Sequence, residues 1–144
     1  MIQEMSLDLF GERFAVFAPP SGAQDSELAK ALTDDAGEHA VEAGRQQKYA
    51  AMARNLIRET ASGESRRELV RIAVWHYERC AAGFRQAVVS FESAAKIQKA
   101  ETARRKLLKK AEVMAESAMR AELAVLELRT GEKKMKGGLN NETG

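Results

Sequence analysis

The sequence predicts an all-α protein: an antiparallel helical hairpin extended into a long coiled-coil helix, with an irregular N-terminal arm. Three observations carry that expectation. The composition is charged (31%) and poor in aromatics (6%), with only two prolines, Pro19 and Pro20, as in extended helices rather than thick-cored globules. Apolar residues recur at helical spacing from Val70 to Leu128. Between residues 65 and 130 there is no proline and one glycine, Gly83.

The elements follow in order. Residues 1–24 form an apolar arm ending in "APPSG", which forbids helix continuation. A first helix is expected over 25–61, with Asp25 and Ser26 able to cap its start. Its apolar faces are short: Leu28 and Leu32 early, then Tyr49, Met52, Ala53, Leu56 and Ile57. Between them Gly37 and Gly44 each cost about 1 kcal/mol in a helix interior. Lying seven apart, they share a face that either admits a close neighbour or marks local disorder. Gly63 in "SGES" suits the left-handed position past a helix end. Ser65 and Glu68 have capping-box spacing for the next helix.

In that second helix the stripe 70, 73, 74, 77, 80, 81, 84, 87, 88, 91, 94, 95 is apolar at all twelve positions, which defines one buried face. Ile72, Trp75, Ala82 and Val89 make a second, less complete apolar face beside it. The main stripe ends at Ala95, and a heptad seam begins three residues after Ala94: Ile97, Ala100, Arg104, Leu107, Ala111, Met114, Ala118, Ala121, Val125, Leu128. This is a stammer-type phase shift. Unbroken to Thr130, the helix would measure about 97 Å. The first helix would cover it only to about residue 102, leaving the seam uncovered, so self-association or a helical protein partner is expected at Ile97, Leu107, Met114, Val125 and Leu128, with Trp75 as a further contact. The alternative is a break near Ala95–Lys99 that folds the last segment back as a three-helix bundle. The domain is therefore 25–130, and "GEKKMKGGLNNETG" at 131–144 reads as a flexible polar tail.

Charge is unevenly placed. Residues 1–44 carry a net −7 and residues 45–144 a net +9. The densest basic run, "KIQKAETARRKLLKK", holds Lys96, Lys99, Arg104, Arg105, Lys106, Lys109 and Lys110 against Glu101. Such a strip suits nucleic-acid phosphates; equally, it suits a solvated face opposite the acidic first helix. A basic helix followed by Leu107, Met114, Ala121 and Leu128 at every seventh position resembles a basic-zipper protein. The match departs from that family in lacking its base-reading Asn and Arg signature, in its three-heptad length and in the amphipathic helix before it. "SLDLF" resembles the peptide by which bacterial proteins dock on the DNA-polymerase sliding clamp. Leu7, Asp8, Leu9 and Phe10 match, and Ser6 stands where glutamine is preferred. The resemblance implies clamp docking; packing of the arm on the hairpin is the other reading.

No enzyme chemistry is expected. Cys80 lies on the apolar stripe, where a thiol is a small hydrophobe. Asp35, His39 and Glu42 share a helical face, but a di-metal bundle needs carboxylates on the facing helix, and the facing stripe is apolar. No metal or cofactor is assigned. The lone cysteine, the acidic N-terminus and the lack of a long apolar run fit a cytoplasmic protein with no membrane partner.

Overall fold

A computed structural model describes residues 22–61 and 63–143, with side chains over 25–61 and 63–131. Three helices follow one another: α1 (Gly22–Glu59), α2 (Gly63–Ile97) and α3 (Glu101–Thr143). Both α1 and α3 pack along α2. The fold is all-helical among the described residues. The 65-residue continuous helix and the coiled-coil rod expected from the sequence are not what forms. The chain breaks at Gln98–Ala100 and α3 returns along α2.

The first turn is built as the sequence suggests. Gly63 has φ +80°, a conformation that strains residues bearing a Cβ. The end of α1 is closed by Thr60, whose Oγ1 donates to the Leu56 carbonyl at 2.8 Å. Arg66 of α2 donates to the carbonyls of Ile57 and Thr60, at 3.3 and 3.2 Å, so carbonyls left over at the helix end find a partner. α2 begins at Gly63, two residues before the Ser65 start expected from the capping-box spacing.

The second turn uses neither glycine nor proline. The Gln98 amide closes α2 on the Ala94 carbonyl at 3.2 Å, and the Arg104 amide opens α3 on the Ala100 carbonyl at 3.0 Å. Glu101 in the first turn of α3 favours the positive end of the helix. The driving force is burial. An unbroken helix would leave the seam in water, whereas folding back buries Leu107, Ala111, Ala118, Ala121 and Val125. Burying a leucine or valine is worth roughly 1.5–3 kcal/mol and an alanine methyl about 0.8 kcal/mol, together more than the few hydrogen bonds lost at the break.

All twelve stripe positions of α2 are buried or half-buried. Facing them, α1 presents Ala29, Ala36, Ala43 and Ala50, each at most 1% exposed, then Ile57. This seven-residue alanine repeat meets small residues on α2, Ala73, Cys80, Ala87 and Ala94, all at 0%. Gly83 sets the tightest point: a Cβ there would lie 3.0 Å from the Ala43 Cβ and 3.3 Å from the His39 carbonyl. Gly37 and Gly44, by contrast, have nothing within 4 Å, so they serve no close approach. The space left between helices is filled by Tyr77, Phe84 and Phe91.

Three ion pairs lace the helices on the outside. Arg85 donates to both oxygens of Glu122, at 3.1 and 2.8 Å. Arg129 meets Glu78 at 2.9 Å, and Arg54 joins α1 to α3 through Glu127 at 2.9 Å. α3 runs past Gly131 to Thr143, where the sequence suggested that the helix stops at Gly131.

Candidate functional site

The most developed surface feature lies where α1 and α2 meet. It starts from a buried amide. Gln46 is only 9% exposed, so its polar atoms must be satisfied. Its Nε2 donates to Glu42 at 2.9 Å, and its Oε1 accepts from His76 Nδ1 at 2.6 Å. Glu42 also takes a bond from Arg45 at 2.7 Å. These bonds, Gln46's first and Arg45's second, hold the Glu42 carboxyl below the usual range.

The chain Glu42–Gln46–His76 fixes the imidazole, and the ring then orders two aromatics. Tyr49 lies 5.5 Å from it and Trp75 4.8 Å, edge-on. Arg79 covers the indole at 4.7 Å, a cation–π geometry. Tyr49, Met52 and Leu56 of α1 and Ile72 and Trp75 of α2 are all exposed, Trp75 at 52%. A shallow groove on the other flank of Trp75 is lined by Val70, Val74, Arg67, Arg71, Glu78 and Arg129. Aromatic, methionine and arginine side chains held in place on an open face are what protein interfaces concentrate.

Trp75 was identifiable as lying on a second apolar face, and that face is exposed: Ile72 and Val89 as well as Trp75 stand in water. Tyr49, Met52 and Leu56 were grouped from the sequence with Ala53 and Ile57 as one inward face. Only Ala53 and Ile57 are buried. The alanine repeat 29, 36, 43, 50 leading into Ile57 is the signal that locates the true inner face of α1.

The seam residues proposed as an oligomer interface lie elsewhere than expected. Leu107 and Val125 are buried in the chain's own core, and Met114 and Leu128 pack against it. Ile97, half-buried, is the last residue of α2. The uncovered seam that called for a partner is covered by the fold-back of α3.

The basic strip is bent around the α2–α3 corner. Lys99 lies 3.8 Å from Asp25, Arg104 and Arg105 share Glu101 at 3.7 and 3.0 Å, and Lys109 meets Glu112 at 3.4 Å. Lys110 sits 5.9 Å over the Phe91 ring. Lys96 and Lys106 are exposed. The cations are therefore split between two helices rather than aligned on one.

Asp35, His39 and Glu42 do not converge. Asp35 accepts from Ser90 at 2.7 Å and lies 3.5 Å from His39 Nε2, while Glu42 is engaged by Arg45 and Gln46. No group of three metal-ligating side chains occurs among the described residues. Cys80 is fully buried, and desolvation pushes its thiol up to about 11, which disfavours the reactive thiolate. Among the described residues no helix is long and apolar enough to cross a membrane. The motif Leu7, Asp8, Leu9, Phe10 lies outside the described residues. No protein-family model matches the chain, and no curated protein or solved structure is significantly similar to it.

Proposed function

We propose that this chain is a non-catalytic helical adaptor whose docking surface is the Trp75 face of the α1–α2 hairpin. The observation that carries the reading is the exposure of Tyr49, Met52, Leu56, Ile72 and Trp75 around a hydrogen-bonded His76. Exposed large apolar side chains on two packed helices are costly to solubility unless a partner covers them. A shallow face between two helices suits an amphipathic helix laid along it, with Trp75 as the central anchor.

The test places a photo-crosslinking residue at Met52 in the native host. The reading expects a discrete protein adduct, reduced at least tenfold when Trp75→Ala and Tyr49→Ala are added. Absence of any adduct, or one indifferent to those changes, overturns it. Since Trp75 is the sole tryptophan, a purified partner would also shift the protein's intrinsic emission.

A second reading, nucleic-acid contact, rests on exposed Lys96, Lys106 and Lys110 at the corner. With the other four cations beside acids, binding would release few counterions, giving a log–log salt slope of about −3. Lys106→Glu with Lys110→Glu would abolish such binding and leave partner capture through Trp75 intact.

A further inference from the structure

We propose that Glu42 and Gln46 are positioning residues that hold neutral His76 as its Nδ1–H tautomer, which makes the bare Nε2 the polar recognition atom of the Trp75 face, one that takes a neutral hydrogen-bond donor from the docked helix. This rests on the docking reading above and adds the partner's chemistry to it.

The tautomer follows from donors and acceptors. An ionised carboxylate only accepts, and the bonds from Gln46 and Arg45 favour the ionised form of Glu42. Its two oxygens are taken separately. Arg45 Nη1 donates to Oε1 at 2.7 Å, and Gln46 Nε2 donates to Oε2 at 2.9 Å. Turning the Gln46 amide over would set its oxygen against the carboxylate oxygen, a repulsive contact. The amide nitrogen therefore stays on Glu42, and Oε1 stays on His76, 2.6 Å from Nδ1. An amide oxygen cannot donate, so the proton of that bond sits on Nδ1. The neutral ring keeps its lone pair on Nε2.

Nε2 has no hydrogen-bond partner among the described residues. The ring is half-buried, and its aromatic neighbours Tyr49 and Trp75 are both exposed. Water satisfies such an acceptor in the free protein. A helix laid across Tyr49 and Trp75 displaces that water, and an acceptor covered without a donor costs affinity. An apolar helix therefore fits this face best when it brings a donor to this point. The neighbouring charges decide which kind. The Arg79 guanidinium stands 4.7 Å over the indole, and Arg45 neutralises Glu42, so a lysine or arginine donor would meet like charge. A serine, threonine or amide donor meets none.

Nitrogen-15 NMR of the imidazoles reads the tautomer in the protein alone, at about pH 8.5, above the ordinary histidine range. His39 is the only other histidine, and His39→Gln removes its signals. The wild type should show a pyrrole-type Nδ1 and a pyridine-type Nε2. Two variants should reverse them. Gln46→Met removes the acceptor. Glu42→Lys, at a side chain 49% exposed, puts a donor where the carboxylate stood and turns the Gln46 amide round without touching His76. A wild type protonated on Nε2, or an Nδ1–H ring that either variant leaves unchanged, overturns the proposal. The photo-crosslinker at Met52 supplies the second arm. Each variant should lower the adduct roughly tenfold, the effect of one unmet buried polar group. An adduct that persists in either variant, while Trp75→Ala removes it, overturns the recognition role of Nε2 and leaves the docking reading standing. A wild type that gives no adduct overturns both.

Discussion

The two faces of α2 that carry other helices are built differently. Toward α1 the contact is small against small: alanines and a cysteine at seven-residue spacing, with Gly83 admitting the backbone of α1 near Ala43. Its polar contacts, Gln46–His76 and Ser90–Asp35, are partly buried. Toward α3 the contact also buries alanines (Ala111, Ala118, Ala121 and Ala124), but it adds Leu107 and Val125 and is flanked by exposed ion pairs, Arg85–Glu122 and Arg129–Glu78. A small-residue contact depends on shape and tolerates little added volume. A contact edged by exposed charge responds to pH and salt. We therefore expect α1–α2 to be the rigid half and α3 the element that loosens first.

The largest expected effect tests that order. Leu107→Ala removes a buried side chain from the α3 contact and should cost about 2–4 kcal/mol. Amide exchange should rise across α3 while the centres of α1 and α2 stay protected. Equal loss of protection in all three helices would mean that the halves are one cooperative unit.

Next in size is the glycine contrast. Gly83→Ala gains helix propensity but presses on Ala43 and a backbone carbonyl, so a net loss of about 1–2 kcal/mol is expected. Gly37→Ala and Gly44→Ala enter open space and should each stabilise by about 0.5–1 kcal/mol. Thermal denaturation of the three variants reads the sign. A stabilised Gly83→Ala would show that the helices are not in tight contact there.

The smallest effect concerns the charged edge. Arg85's hydrogen bonds hold the Glu122 carboxyl below its ordinary value. A carboxylate with a depressed folded-state pKa adds stability above its unfolded value, about 4.3, and that stability fades as pH falls through the folded value. Both partners are about half exposed, so the coupling should be under 1 kcal/mol. A double-mutant cycle of Arg85→Ala and Glu122→Ala at pH 7 and pH 3 measures it, and the coupling should vanish at the lower pH. Persistence at pH 3 would assign the interaction to packing of the arginine stem.

Several of these features were readable in the chain. The apolar stripe of α2 is buried or half-buried at every position, and Gly63 ends the first turn in the left-handed conformation. The three-residue phase shift between Ala94 and Ile97 coincides with the break at Gln98–Ala100. It was legible as a change of register, and a break near Ala95–Lys99 stood as the alternative reading, but nothing local favoured the turn, since Gln98, Lys99 and Ala100 are all compatible with helix. The inner face of α1 was hidden for a different reason. Alanine contributes little to an apolar pattern, so Tyr49, Met52 and Leu56 dominate the reading although they lie outside.

By itself, then, the sequence determined the helical class, the first turn and the buried face of α2, because periodicity and a glycine turn are local properties. Only the tertiary structure decided where the seam 97–128 goes, which residues of α1 face inward, and that Tyr49 and Trp75 converge on His76. Each of these depends on which surface covers which. That balance is struck between helices far apart in the chain, where burying an apolar stripe outweighs the local preference of Gln98, Lys99 and Ala100 to continue a helix.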